Sequence, residues 1–308
     1  MEGSCMTLKQ ILIPLTVPEK ARDIFVQNYT RATGDTGRML LFAGDQKVEH
    51  LNKDFYGPTI APEAAYPHHL FEIASKGRIG VFATQLGLIA RYGAFYRSIR
   101  YIVKMNAKTD LMPTKQADPI SHCWNTVQQV IDLKKHSGLE IVGIGVTIYL
   151  GSEYETEMLS AAATMIYEAH QHGLITVVWM YPRGAAVQQE RSAEIIAGAA
   201  GVAVCLGSDF VKVNVPDAAD ATQSAQLLRQ ATIAAGNTKV ICSGGPRKND
   251  HEFLQDVYNQ IHIGGAAGAA VGRNIHQKRT LDAIKFCNAL AAIIMDDVDV
   301  KTAGQLLK

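Results

Sequence analysis

The run Ile141-Val-Gly-Ile-Gly-Val-Thr-Ile-Tyr149 decides how this chain folds. Side chains alternate across a strand, so Val142, Ile144, Val146 and Ile148 share one face and Gly143, Gly145, Thr147 and Tyr149 the other. The branched face suits packing against helices. The second face, two glycines followed by Thr and Tyr, suits a crowded interior that opens at Tyr149. A strand buried on both faces belongs to a parallel sheet covered by helices.

Seven more short apolar runs recur on either side: Met39 to Ala43, Ile79 to Thr84, Tyr101 to Met105, Ile175 to Met180, Phe210 to Val213, Val240 to Cys242 and Gly268 to Val271. Between them lie Asn125 to His136, Glu155 to His172, Ser192 to Leu206, Ala221 to Ala235 and Asp250 to Ile261, rich in Ala or Leu and helical in pattern. Alternating strand and helix implies parallel strands with right-handed crossovers. Eight units fit a closed α/β barrel, the (β/α)8 TIM barrel, better than an open doubly wound sheet. No linker divides the chain, so a single domain is expected over 1–308, with the barrel core at about 38–290. Gln46 to Pro67, full of turn residues, reads as a long loop after the first strand, placed to shape a site.

Composition narrows the partners. Thirty Lys and Arg against twenty-nine Asp and Glu leave a net charge of +1, so no overall field recruits nucleic acid or an anionic membrane. Any anion binding is local. Hydrophobic residues at 47% and charged residues at 19% describe a soluble globular protein. The five cysteines (Cys5, Cys123, Cys205, Cys242 and Cys287) form no CxxC pair, which points to a reduced, cytoplasmic protein. The start, MEGSCMTLKQILIPLTVP, has no signal-cleavage pattern, and no run of 18 apolar residues suggests a membrane span. His68-His69 and the His170/His172 pair lack a third ligand at a convincing spacing, so no metal and no cofactor are expected.

The chemistry centres on Ser208-Asp-Phe-Val-Lys-Val-Asn-Val-Pro216. Val211, Val213 and Val215 share one face, and Phe210, Lys212 and Asn214 point inward. Burial disfavours an ammonium, and a neutral amine can attack a ketone to form an iminium, the electron sink of a Schiff-base reaction. By itself the strand also fits a structural lysine that snorkels to solvent or pairs with Asp209. Two glycine-rich turns follow, Cys242-Ser-Gly-Gly-Pro246 and Val271-Gly-Arg-Asn274, after the seventh and eighth strands, where this fold commonly holds phosphate. Ser243, Gly244, Gly245, Gly272 and Arg273 are the candidate phosphate contacts. Asp45, ending the first strand on its inward face, and Tyr149 are candidate acid and base groups. Lys104, Lys108 and Arg183, near strand ends, fit either a second phosphate or a solvated surface.

These motifs together make the chain resemble the archaeal-type class I fructose-bisphosphate aldolases, relatives of deoxyribose-phosphate aldolase. The resemblance runs from about Leu40 to Gln277 through Val-Gly-Ile-Gly-Val-Thr-Ile-Tyr-Leu-Gly-Ser-Glu-Tyr-Glu, Val-Trp-Met-Tyr-Pro-Arg-Gly, Asp-Phe-Val-Lys-Val-Asn, Ile-Cys-Ser-Gly-Gly-Pro and Ala-Val-Gly-Arg-Asn. It implies that Lys212 forms the Schiff base, Tyr149 transfers protons, Asp45 assists with the carbinolamine and substrate hydroxyls, and the two turns hold the phosphate of the ketone half. Arg183 is a further substrate contact on this reading. Phosphorylated sugars are the implied substrates, fructose 1,6-bisphosphate first among them, and a large homo-oligomer is the implied assembly. Two departures stand out: Asp45-Gln46-Lys47 replaces the usual Asp-His-Gly, and Asn214 stands where a second lysine is often found. Gln46 and Lys47 therefore become candidate substrate contacts, and two alternatives remain. One is a transaldol-type synthase making 6-deoxy-5-ketofructose phosphate or aminodeoxyheptulosonate; the other is a phosphometabolite-binding barrel without catalysis.

Overall fold

The computed structural model describes residues 11–112 and 117–308; Cys5 lies outside the described residues. Eight strands form the barrel wall: β1 (Met39–Ala43), β2 (Val81–Gln85), β3 (Tyr101–Lys104), β4 (Ile141–Leu150), β5 (Ile175–Pro182), β6 (Phe210–Val213), β7 (Lys239–Ser243) and β8 (Gly268–Val271). They run in sequence order, and β8 pairs in parallel with β1 to close the cylinder. The TIM-barrel reading holds. Every anticipated strand is present, with β4 and β5 running on to Leu150 and Pro182.

The five anticipated helices span Val127–Ser137, Glu155–Gln171, Ala193–Cys205, Ala221–Ala234 and Asp250–His262. Several start at real caps. Thr126 forms a capping box with Gln129, Ser192 accepts from the Ile195 N–H, Asp220 from Gln223 N–H, and Asn249 from His251 N–H. Each cap contributes about 1 kcal/mol and fixes where the strand-to-helix loop ends. The helix Arg22–Thr33 closes the barrel floor, where Tyr29 stacks on Phe210 with ring centroids 5.4 Å apart.

Two apolar cores result. An inner one gathers Met39, Leu41, Val81, Ile102, Val177, Trp179, Phe210 and Ile241, and an outer one packs the opposite strand faces against the helices. Ile144, Val146 and Ile148 face outward as the alternation predicts. Val142 does not. Tyr101 pairs with Ile141 while Ile102 pairs with Gly143, a register shift that skips Val142 and places it with the inner cluster. Gly145 has its own steric reason, because a Cβ there would run into the Trp179 ring.

The segment from Gln46 to Pro67 is more ordered than a loop. It carries short helices at Gln46–Glu49 and Leu51–Phe55 and a 3-10 turn at Pro62–Ala65. Lys47 explains part of this, since its Nζ donates to Ala65 O at 3.0 Å and lies 4.2 Å from the Phe55 ring centroid. Among the described residues no helix is long and apolar enough to cross a membrane.

Candidate active site

Strand register assembles the site at the carboxyl end of the barrel. Thr147 sits beside Trp179, and Trp179 beside Lys212, so three inward side chains form one layer across β4, β5 and β6. Lys212 is 4% exposed, and its Nζ lies 5.4 Å from the Trp179 centroid, within cation–π range. Burial lowers its pKa, Asp45 and Glu49 work against that, and Arg273 adds to the lowering. Asp209 is not its partner. Its Oδ2 accepts from Thr176 N–H and Oγ1 and faces His170 Nε2 at 3.2 Å, at the opposite end of the strands.

A second buried lysine enters from β3. Lys104 is 1% exposed, far from a solvated strand end, and its Nζ stands 5.3 Å from the Trp179 centroid. It donates to Asn106 O at 2.7 Å and Asn106 Oδ1 at 3.0 Å. Burial lowers its pKa, and Glu49 and Asp45 raise it. A second lysine therefore reaches the pocket of Lys212 from across the barrel, where Asn214 offers none. Asn214 instead accepts from Ser243 Oγ at 2.8 Å, tying the end of β6 to the glycine-rich turn after β7.

Two acids face these lysines. Asp45 is buried, with Oδ1 lacking a hydrogen-bond partner. Glu49 follows one helical turn later and likewise has a buried, unpartnered Oε1. Burial pushes the Glu49 carboxyl up to about 7, with Lys104 opposing and Asp45 reinforcing the shift. The sequence reading missed Glu49, although the i, i+4 spacing from Asp45 was a usable signal.

Tyr149 is 2% exposed and neighbours Tyr181 across β4 and β5. Burial raises both phenol pKa values, so each hydroxyl keeps its proton at neutral pH. Arg183 reaches over the pair, 5.8 Å from the Tyr149 ring and 5.7 Å from that of Tyr181, with Glu190 Oε1 at 3.6 Å from its Nε. Lys108 pairs with Asp110.

The two glycine-rich turns meet at Asn274. Its Nδ2 donates to Gly244 O and Pro246 O, both at 3.0 Å, and its Oδ1 accepts from Lys248 N–H at 2.9 Å. Gly244 N–H is engaged with Ala270 O, closing β7 onto β8, while Gly245 takes φ +62°, a conformation glycine adopts without strain. Arg273 keeps a buried, unpartnered Nε that lies 3.8 Å from Asp54 Oδ2. Gln46 lies against Gly272, where an added Cβ would collide with its Oε1. Lys47 is turned to the loop carbonyl of Ala65.

The DeoC/LacD family aldolase model matches residues 39–278. A relative from Methanocaldococcus jannaschii, the fructose-bisphosphate aldolase/6-deoxy-5-ketofructose 1-phosphate synthase, is 52% identical over 295 residues, covering 96% of this chain and 94% of its own. The solved fructose-bisphosphate aldolase from Slackia heliotrinireducens superposes with a TM-score of 0.95 at 48% identity, covering 98% of this chain and 95% of its own. An archaeal fructose-1,6-bisphosphate aldolase, solved with its catalytic lysine bound to the carbinolamine intermediate, superposes with a TM-score of 0.75 at 32% identity over 88% of this chain and 99% of its own. The matched span holds the closed barrel, both buried lysines and both glycine-rich turns, and the chain belongs to the DeoC/LacD family of aldolases.

Proposed function

We propose that the protein is a class I aldolase that cleaves fructose 1,6-bisphosphate reversibly to dihydroxyacetone phosphate and glyceraldehyde 3-phosphate, with Lys212 as the Schiff-base amine. The observation that carries this reading is a desolvated lysine packed on Trp179, facing two acids with unpartnered oxygens. Ser243, Gly245, Gly272 and Arg273 hold the ketone-side phosphate, with Gly244 shaping the turn, and Arg183 takes the other half of the substrate.

Neutral Lys212 attacks the C2 carbonyl, and its proton moves to the oxygen to give a carbinolamine. Tyr149, protonated at rest because it is buried, donates to the departing hydroxyl, releasing water and leaving an iminium and a phenolate. The phenolate takes the C4 hydroxyl proton as the C3–C4 bond breaks, and the bonding electrons flow into the iminium to form an enamine. Glyceraldehyde 3-phosphate leaves. Tyr149 then protonates C3, and hydrolysis of the new iminium frees dihydroxyacetone phosphate and Lys212. Asp45 and Glu49 stabilise the cationic nitrogen through these steps.

A second reading follows from the double name of the M. jannaschii relative. The same enamine adds to a different aldehyde and makes 6-deoxy-5-ketofructose 1-phosphate. Borohydride treatment with dihydroxyacetone phosphate should fix a three-carbon phosphate on Lys212 and nowhere else. Labelling elsewhere, or complete inhibition by a chelator, overturns the Schiff-base reading. Turnover of the bisphosphate against the alternative acceptors separates the two products.

A further inference from the structure

His276 ends the short helix Arg273–His276 that follows Gly272, and its side chain is wholly buried. Phe55 stacks flat on the imidazole, with centroids 4.5 Å apart and planes 5° from parallel, and His276 O faces His69 Nε2 at 3.0 Å. Both ring and backbone are thus held. Burial first, then the nearby His69, Arg273, Lys47 and His50, push the pKa down to about 3, so the ring is neutral under all working conditions. A neutral imidazole has one N–H and one lone pair. Nδ1 is buried without a partner, whereas Nε2 lies 3.2 Å from Gln46 Oε1. An unpaired buried N–H is the rarer and costlier defect, so the proton sits on Nε2 and is donated to the Gln46 carbonyl.

With its oxygen held there, the planar carboxamide of Gln46 has its NH2 fixed as well. It packs on Gly272, the glycine opening the second turn, so closely that a Cβ on Gly272 would meet both Oε1 and Cδ. An amide NH2 is a donor only, matched to a phosphate oxygen, which is an acceptor only. We infer that His276 is a positioning residue that turns Gln46 into a fixed hydrogen-bond donor for the ketone-side phosphate. The inference rests on the aldolase reading above, and it gives the glutamine after Asp45 a partner and a role.

The test is condensation kinetics with dihydroxyacetone phosphate and glyceraldehyde 3-phosphate varied separately, for His276→Phe, Gln46→Ala, the double variant and His276→Gln. Phenylalanine keeps the stack on Phe55 and removes the donor; glutamine restores an N–H near Nε2. The expected result is a roughly tenfold rise in KM for dihydroxyacetone phosphate in His276→Phe, with kcat and the aldehyde KM changed less than about twofold. The double variant should be no worse than Gln46→Ala, and His276→Gln should recover most of the loss. Equal rises for both substrates, additive losses, or an unchanged KM in Gln46→Ala overturn the inference. The Gln46→Ala measurement decides even if His276→Phe fails to fold, since it leaves the buried ring in place. Borohydride labelling of the wild type separates the two levels: no label at Lys212 defeats the aldolase reading, whereas normal labelling with a silent Gln46→Ala defeats only this one.

Discussion

Lys104 and Lys212 approach the same ring, their ammonium nitrogens 5.3 and 5.4 Å from the centroid of Trp179, one reaching in from β3 and the other from β6. Two like charges in one dry pocket disfavour each other. Lys104 has two acceptors on Asn106, while Lys212 makes no side-chain hydrogen bond among the described residues. Lys104 has acceptors to hold its proton even though Lys212 lowers its pKa, whereas Lys212 is lowered by burial and by Arg273 and has no such acceptor.

Replacing Lys104 by Met removes the neighbouring cation at similar volume. The Lys212 pKa should rise, moving the acidic limb of kcat/KM to higher pH by about one unit, with slower borohydride trapping at neutral pH. A limb that stays in place shows that burial and Arg273 activate Lys212 without Lys104.

Glu49 makes a stability prediction with a definite sign. Its carboxyl is raised to about 7 in the fold, above the ordinary carboxylate value, so the folded protein binds a proton there that the unfolded chain has released. This contribution is fully present below the unfolded pKa and is lost as pH rises through the folded one. Glu49→Gln mimics the protonated state. Its Tm should match the wild type near about pH 4 and exceed it increasingly up to about pH 8. A constant difference across that range rules the mechanism out.

Tyr149→Phe removes the proposed proton carrier while keeping the buried ring. A loss of about 10²- to 10⁴-fold in kcat with little change in KM is expected. Iminium reduction should also slow, because carbinolamine dehydration loses its acid. A variant impaired only in KM reassigns Tyr149 to binding.

Asn274→Ala breaks three hydrogen bonds that join the turn after β7 to the turn after β8. The orphaned groups should cost about 1–3 kcal/mol in urea unfolding. A raised KM for dihydroxyacetone phosphate should accompany it, since both turns lose their common brace. Normal stability with a raised KM points to a direct substrate contact instead.

The barrel was legible because it repeats. Period-two alternation from Ile144 to Tyr149 and in Phe210 to Asn214 is local chemistry, and it places Lys212 on the inner wall from the sequence alone. The order in the long segment after β1 is not legible locally, because Lys47 and Ala65, or Ala61 and Gln277, show no relationship in the linear chain. Lys104 looked like a charge at a strand's end for the same reason. What buries it is Trp179, seventy-five positions away along the chain but adjacent once the wall closes.

Local residue pattern therefore dictated eight strands, an inward lysine on the sixth and two glycine-rich turns after the seventh and eighth. Tertiary closure decided the rest: the second lysine, the unpartnered Oε1 of Glu49, the brace at Asn274 and the pairing of His276 with Gln46. The physical reason is that side-chain alternation is set by a strand's own backbone, whereas desolvation and hydrogen-bond partnership depend on which distant strand ends the closed register brings together.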